Sequence, residues 1–236
     1  MAVGTRQFWQ LGYNAVGKVG EQCVQAFYQQ LKNNLVGGQP GLQNEGDFFR
    51  SAVFLPLVEQ NGQPGILFEV RAASLAWQPG EICFPGGRIE PIDATAQAAA
   101  VRETCEELSL KASGVKVLGQ MDFVVTPLGL LIYPFVGYIS EVANVRPSAS
   151  EVAEVFVVPL KFFLETEPLV GTVEVATRPQ GDFPIELVTG YPSEWKKRSS
   201  YKVFFYRYHE RVIWGITAGI VNNFIQFYRK CKEIKI

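Results

Sequence analysis

Between Gly80 and Leu110 the chain reads GEICFPGGRIEPIDATAQAAAVRETCEELSL, and this stretch limits the fold more than any other. A short apolar strand over 82–84 enters Pro85-Gly86-Gly87, then an acidic loop with Glu90 and Asp93, then an alanine-rich helix over 94–108. Paired glycines after a strand permit positive φ and close backbone approach to a ligand, although a plain turn uses them too. At about 100° per residue, Glu103, Glu106 and Glu107 fall within roughly a third of the helix circumference, with Arg102 at its edge and Ala99 leaving room beside them. Ala94, Ala98, Val101, Cys105 and Leu108 make an apolar face on the opposite side. Carboxylates at i, i+3 and i+4 repel one another on a bare helix. Two readings follow. One is a solvated acidic face. The other is a seat for a hard, oxygen-seeking cation, Mg²⁺ or Mn²⁺. The second also accounts for the cluster following directly on a Gly-Gly turn and an acidic loop. A cation there could bridge to a diphosphate and lower the pKa of a bound water.

The rest of the chain sets this segment in context. Residues 19–35 carry Cys23, Val24, Phe27, Leu31 and Leu35 at spacings of three and four, which predicts an amphipathic helix. The Gly/Pro/Asn-rich stretch 37–47 reads as a linker, so residues 1–48 form an N-terminal helical appendage and 49–236 the main domain. Strands are expected over 51–59 and 65–71, joined by a hairpin at Asn61-Gly62, and over 115–125, 130–139, 155–160 and 201–208. A second helix is expected over 215–229, started by Trp214 and Thr217 and ended by basic residues; the run Lys196, Lys197, Arg198 reads as a solvated turn. The fold class is α+β, a mixed β-sheet flanked by helices.

Composition excludes several functions. With 22 Lys plus Arg against 23 Asp plus Glu, the net charge of −1 gives no basic surface for nucleic acid. Four scattered cysteines without a CxxC pair, and one histidine (His209), give no support to a zinc site or to Cys–His or Ser–His catalysis unless His209 is the base. The cysteines read as reduced thiols, no apolar run reaches the roughly 18 residues of a membrane span, and no signal peptide is evident. A cytoplasmic protein without a membrane partner is expected.

The segment resembles the Nudix box, G-x5-E-x7-R-E-U-x-E-E-x-G-U, in which U is a bulky apolar residue. Arg102-Glu103-Thr104-Cys105-Glu106-Glu107-Leu108-Ser109-Leu110 matches its second half. Ser109 replaces the final glycine, Thr104 stands at an apolar position, and Asp93 stands near the usual glutamate, one residue being inserted between Gly87 and Arg102. That longer spacing, with GEICFPGG before it, is similar to the coenzyme A diphosphatase branch of the Nudix hydrolases. Arg71 and the segments PLGLLIYPFVG, SEVAEVFVVPL and WGITA extend the likeness across about residues 50–228. Ala76 and Trp77 occupy the neighbourhood in which the branch usually has a further arginine.

The resemblance implies a Nudix α/β/α sandwich and a Mg²⁺- or Mn²⁺-dependent attack of water on a diphosphate. Coenzyme A would yield 4′-phosphopantetheine and adenosine 3′,5′-bisphosphate. Glu103 and Glu107 would be metal ligands, and Glu106 a third ligand or the residue that orients metal-bound water. Glu103, Glu106 and Arg102 would form the catalytic set, with Arg102 holding the glutamates by charge-assisted hydrogen bonds. Arg71, Gly86 and Gly87 would meet substrate. The general base is open among Glu103, Glu151 and Glu154. The alternatives are another nucleoside diphosphate derivative, such as ADP-ribose or NADH, and a non-catalytic nucleotide-binding module. Residues 1–36 could contribute an interface helix to a homodimer.

Overall fold

The computed structural model describes residues 18–37, 42–140 and 142–233. Contacts divide the chain into two units, Met1–Gly46 and Asp47–Ile236. The first contains α1 (Lys18–Gly37), which covers the amphipathic periodicity; residues 1–17 of the expected appendage and part of the expected linker lie outside the described residues.

The second unit begins with β1 (Phe49–Gln60) and β2 (Gln63–Arg71). Their two-residue turn places Asn61 at φ 53° and Gly62 at φ 75°, the doubly left-handed turn that Asn-Gly favours. There follow β3 (Ile82–Cys83), β4 (Gly86–Arg88), α2 (Ala96–Leu108), β5 (Val115–Gln120), β6 (Val124–Val125) and β7 (Leu130–Ile139). The chain continues through β8 (Val152–Pro159), α3 (Leu160–Glu165), β9 (Leu169–Thr177), β10 (Lys196–Tyr208), β11 (Arg211–Trp214) and α4 (Gly215–Glu233).

Eight strands form a mixed sheet along the path β3-β2-β1-β7-β5, with β4 on β1, β6 on β7 and β8 on β2. The pair β1–β7 is parallel and the others are antiparallel. One face packs on α2 through Ala52, Phe54, Leu67, Ala99, Ala100, Leu108 and Phe135. The other packs on α3 and α4 through Ile66, Phe68, Phe163, Val221 and Phe224, joined by Tyr206 and Ile213 of a smaller β11-β10-β9 sheet. This is the expected α/β/α arrangement. Among the described residues no helix is long and apolar enough to cross a membrane.

Several elements differ from the sequence reading. The run 115–125 is two strands, because pairing with β7 is interrupted between Met121, whose amide still donates to Pro134 O, and Val124. Strand β9 went unread, although LVGTVEVAT alternates. The basic run opens β10 instead of forming a turn, with Lys197 paired to Glu174 and Arg198 bonded to Thr177 and Tyr191. Trp214 ends β11 and stacks on Phe205 rather than starting the helix. His209 is exposed in the β10–β11 turn at φ 52°.

Candidate active site

The site lies where β1 and β2 diverge. Strand β4 takes the first part of β1, pairing Val53 with Gly86 and Ala52 with Gly87; β2 takes the last part, from Leu57. The Phe54 amide donates to Pro85 O at 2.8 Å, which carries the Pro-Gly-Gly turn into the sheet. Glycine is required at both positions. Gly86 has φ 150°, and a Cβ there would meet Ala52 O at 2.4 Å. A Cβ on Gly87 would stand 2.5 Å from the Glu103 carboxylate.

Helix α2 starts at the N-cap Thr95, whose hydroxyl accepts from Ala98 N at 3.1 Å. It ends at Ser109, held left-handed at φ 52°, with its N–H on Cys105 O. That is the position at which the box carries glycine, and the conformation explains why. The helix is turned differently from the sequence reading. Ala98 is exposed and Val101 and Cys105 are half-buried, while Ala99, Ala100, Thr104, Glu107 and Leu108 are buried against the sheet. The Thr104 hydroxyl bonds back to Ala100 O at 2.7 Å, which lets it occupy an apolar position. The acidic edge is therefore not simply a solvated face.

Glu107 is 5% exposed and accepts the Gly86 N–H at 2.8 Å. Burial lifts its pKa to about 9, with the Glu69 charge acting the same way and the Gly86 amide opposing. Glu103 is half-buried over Gly87; burial raises its pKa and Arg102 opposes. Glu106, 56% exposed, lies on the outer side and bonds to Arg102.

Arg102 is the clamp. Its Nε and Nη2 donate to Asp93 Oδ1 and Oδ2 at 3.0 and 2.9 Å, a bidentate pair. Its Nη1 lies 3.0 Å from both Glu103 Oε1 and Glu106 Oε2, and Nη2 also reaches Arg88 O at 3.3 Å. Asp93 Oδ2 accepts the Glu90 amide, and the Arg102 bonds hold the Asp93 carboxyl below its usual range. One guanidinium thus ties the acidic loop to the helix.

Arg71 ends β2, and its Nε donates to Trp77 O at 3.2 Å, while the Trp77 ring is 69% exposed. Glu151 lies close enough for its charge to raise Glu69, Glu103 and Glu107. Glu154 is elsewhere engaged: Arg211 grips both its oxygens at 2.6 and 2.9 Å and holds its pKa down.

The sequence reading missed Glu69. It is 1% exposed in β2, and burial lifts its pKa to about 7, opposed by Cys83 and Arg71. The Cys83 thiol donates to Glu69 Oε1 at 3.2 Å, and burial pushes that thiol far up, so it stays protonated. A carboxylate inside the apolar run GILFEVR was the available signal.

The acidic donors suit a hard cation. Among the described residues no three His, Cys, Asp or Glu side chains converge as a ready-made metal cage. Mg²⁺ does not need one, because it is commonly held by one or two carboxylates together with waters and substrate phosphates. The carboxyls of Glu103 and Glu107, each held at the glycine turn, fit that mode.

Comparison with known proteins identifies the family. The NUDIX domain family matches residues 48–168. The Nudix hydrolase NudL of Escherichia coli K12, itself uncharacterized, is 32% identical over 174 residues, 74% of this chain and 80% of that one. The mouse peroxisomal coenzyme A diphosphatase NUDT7 is 38% identical over 116 residues, about half (49%) of each chain. A crystal structure of the Mycobacterium smegmatis Nudix hydrolase RenU overlays on 48% of this chain and 74% of its own, with 23% identity and a TM-score of 0.41. From a family match across half its length and a relative aligned over most of its own, the chain belongs to the Nudix hydrolase family.

Proposed function

We propose that this Nudix hydrolase cleaves the diphosphate of coenzyme A or its derivatives, releasing 4′-phosphopantetheine and adenosine 3′,5′-bisphosphate. The observation that carries the chemistry is the pair at the Gly86-Gly87 turn: half-buried Glu103, braced by Arg102, and buried Glu107, held by the Gly86 amide. The choice of coenzyme A is supported by the long box after GEICFPGG and by likeness to the mouse diphosphatase.

Glu103 and Glu107 would hold Mg²⁺ or Mn²⁺, with Glu106 at the outer edge as a further ligand or as the group that orients the attacking water. When bound, the cation supplies charge neutralisation at the diphosphate and a more acidic water. The protein's own residues do the rest. The Gly86 amide fixes Glu107. Arg102 fixes Glu103 and Glu106 without touching substrate. The Gly86-Gly87 backbone leaves room for phosphate oxygens, and Arg71 at the end of β2 offers them a cation. Glu103 and Glu151 are the candidates to take the water proton. Glu154 is a poorer one, because its ion pair with Arg211 stabilises the ionised form and occupies both oxygens.

A substrate panel tests the reading. Coenzyme A, acetyl-coenzyme A, ADP-ribose and NADH are each incubated with Mg²⁺, Mn²⁺ or EDTA, and the products are resolved by mass. Metal-dependent adenosine 3′,5′-bisphosphate from coenzyme A is expected. Cleavage of ADP-ribose or NADH alone would move the substrate, and turnover of none would overturn the enzymatic reading.

A further inference from the structure

Glu69 is an anomaly that the reading above leaves unused. Its side chain is almost wholly buried, and Oε2 has no hydrogen-bond partner among the described residues. A buried carboxylate oxygen without a donor is costly, so such an atom in a folded protein calls for a missing partner. The neighbouring charge of Arg71 does not fill that role, since its Nε is directed to Trp77 O. Oε1 takes the Cys83 thiol, a weak donor.

The strand register fixes where this carboxylate faces. Side chains alternate along β2, so Glu69 shares its face with Leu67, which packs among Ala99, Ala100 and Leu108 on the α2 side. Glu69 pairs with Cys83 across β2–β3, one strand end away from the turn whose Gly86 amide holds Glu107. Two acidic groups, one from the strand and one from the helix, are thus buried on the α2 side of the sheet, with no basic side chain bonded to either among the described residues.

We propose that Glu69 is an additional metal-site carboxylate, supplying Oε2 from the α2 side of β2, so that the cation is held from the sheet as well as from the helix. This rests on the metal-dependent reading above and goes beyond it, because Glu69 lies outside the box. The strand carboxylate raises the site's negative charge and makes cation binding a source of stability for the whole domain, since binding to the folded form alone shifts the folding equilibrium.

The test measures metal binding directly. Full-length protein and the variants Glu69→Gln and Glu69→Met are titrated with Mn²⁺ by calorimetry and by electron paramagnetic resonance, and melted in EDTA and in saturating Mn²⁺. Glu69→Met is included because it fills the space without a polar group needing a partner. The wild type is expected to bind Mn²⁺ and melt higher with it. Both variants should bind at least about 10-fold more weakly, since loss even of a group supporting a metal ligand costs that much, show a smaller Mn²⁺-induced rise, and melt higher than wild type in EDTA. Equal Mn²⁺ affinity and an equal rise in a folded variant would overturn the role of Glu69 while leaving the helix site standing. Failure of the wild type to bind Mn²⁺ would overturn the metal reading itself, and this role with it.

Discussion

The Gly86 amide donates to Glu107 Oε2 at 2.8 Å, joining the glycine turn to the last turn of α2 across 21 residues of sequence. That bond explains why a carboxylate tolerates 5% exposure, and it makes the turn and the helix one mechanical unit. Glu107→Gln keeps an acceptor for the amide and removes the charge. It should lower metal-dependent turnover at least about 10-fold, since loss even of a group supporting a metal ligand costs that much, with the circular dichroism spectrum unchanged. Glu103→Gln should do the same, and full activity in both would remove the helix from the site.

Gly87→Ala tests the close approach. The added Cβ would sit 2.5 Å from the Glu103 carboxylate, so the carboxylate must move. Turnover should fall at least about 10-fold, since displaced catalytic groups lose rate steeply, while the melting temperature changes little because the clash involves a side-chain end. Unchanged kcat/KM would mean that the observed position of Glu103 is not the working one.

Arg102 engages Asp93 through a two-pronged contact that lysine cannot reproduce. Arg102→Lys should therefore cost activity about 10-fold or more, as loss of an orienting partner does, and Asp93→Asn should show a similar but smaller loss. Activity equal to wild type in Arg102→Lys would show that charge alone suffices there.

Stability should depend on pH in a direction set by the raised carboxyls. In the unfolded chain Glu107 titrates near the ordinary 4.5, whereas in the folded chain it holds its proton to about 9, and Glu69 to about 7. Between these values the native state binds more protons than the unfolded state, so stability falls as pH rises. In EDTA the melting temperature should drop from about pH 4.5 towards about pH 9, and Glu107→Gln should flatten the slope. A rise over that window in the wild type would contradict the burial of these groups.

Ser109 offers a stability test at the helix end. It is left-handed at φ 52°, where a side chain costs energy and glycine does not. Ser109→Gly should raise stability by about 1 kcal/mol in denaturant titration.

Much of this was legible in the sequence for local reasons. Asn61-Gly62 specifies its turn, and the short apolar runs of β1 and β2, bounded by turn residues, mark strands, because each signal acts between near neighbours. The orientation of α2 was not legible. Helical periodicity places Val101 and Cys105 opposite the glutamates, and charge normally faces water, but here the Gly86 amide offsets part of the cost of burying Glu107. Glu69 was hidden for the same reason: within GILFEVR a single carboxylate reads as noise until Cys83 and the helix are brought to it. The break between Met121 and Val124 and the strand start at Lys196 depend on cross-strand partners far away in the chain.

The most direct test of the account is the fate of coenzyme A with wild-type protein and with Glu103→Gln, each in Mg²⁺ and in EDTA, followed by mass. Adenosine 3′,5′-bisphosphate should accumulate only when both the metal and Glu103 are present. Release at equal rates in EDTA, or by the variant, would contradict a carboxylate-held cation as the centre of the chemistry.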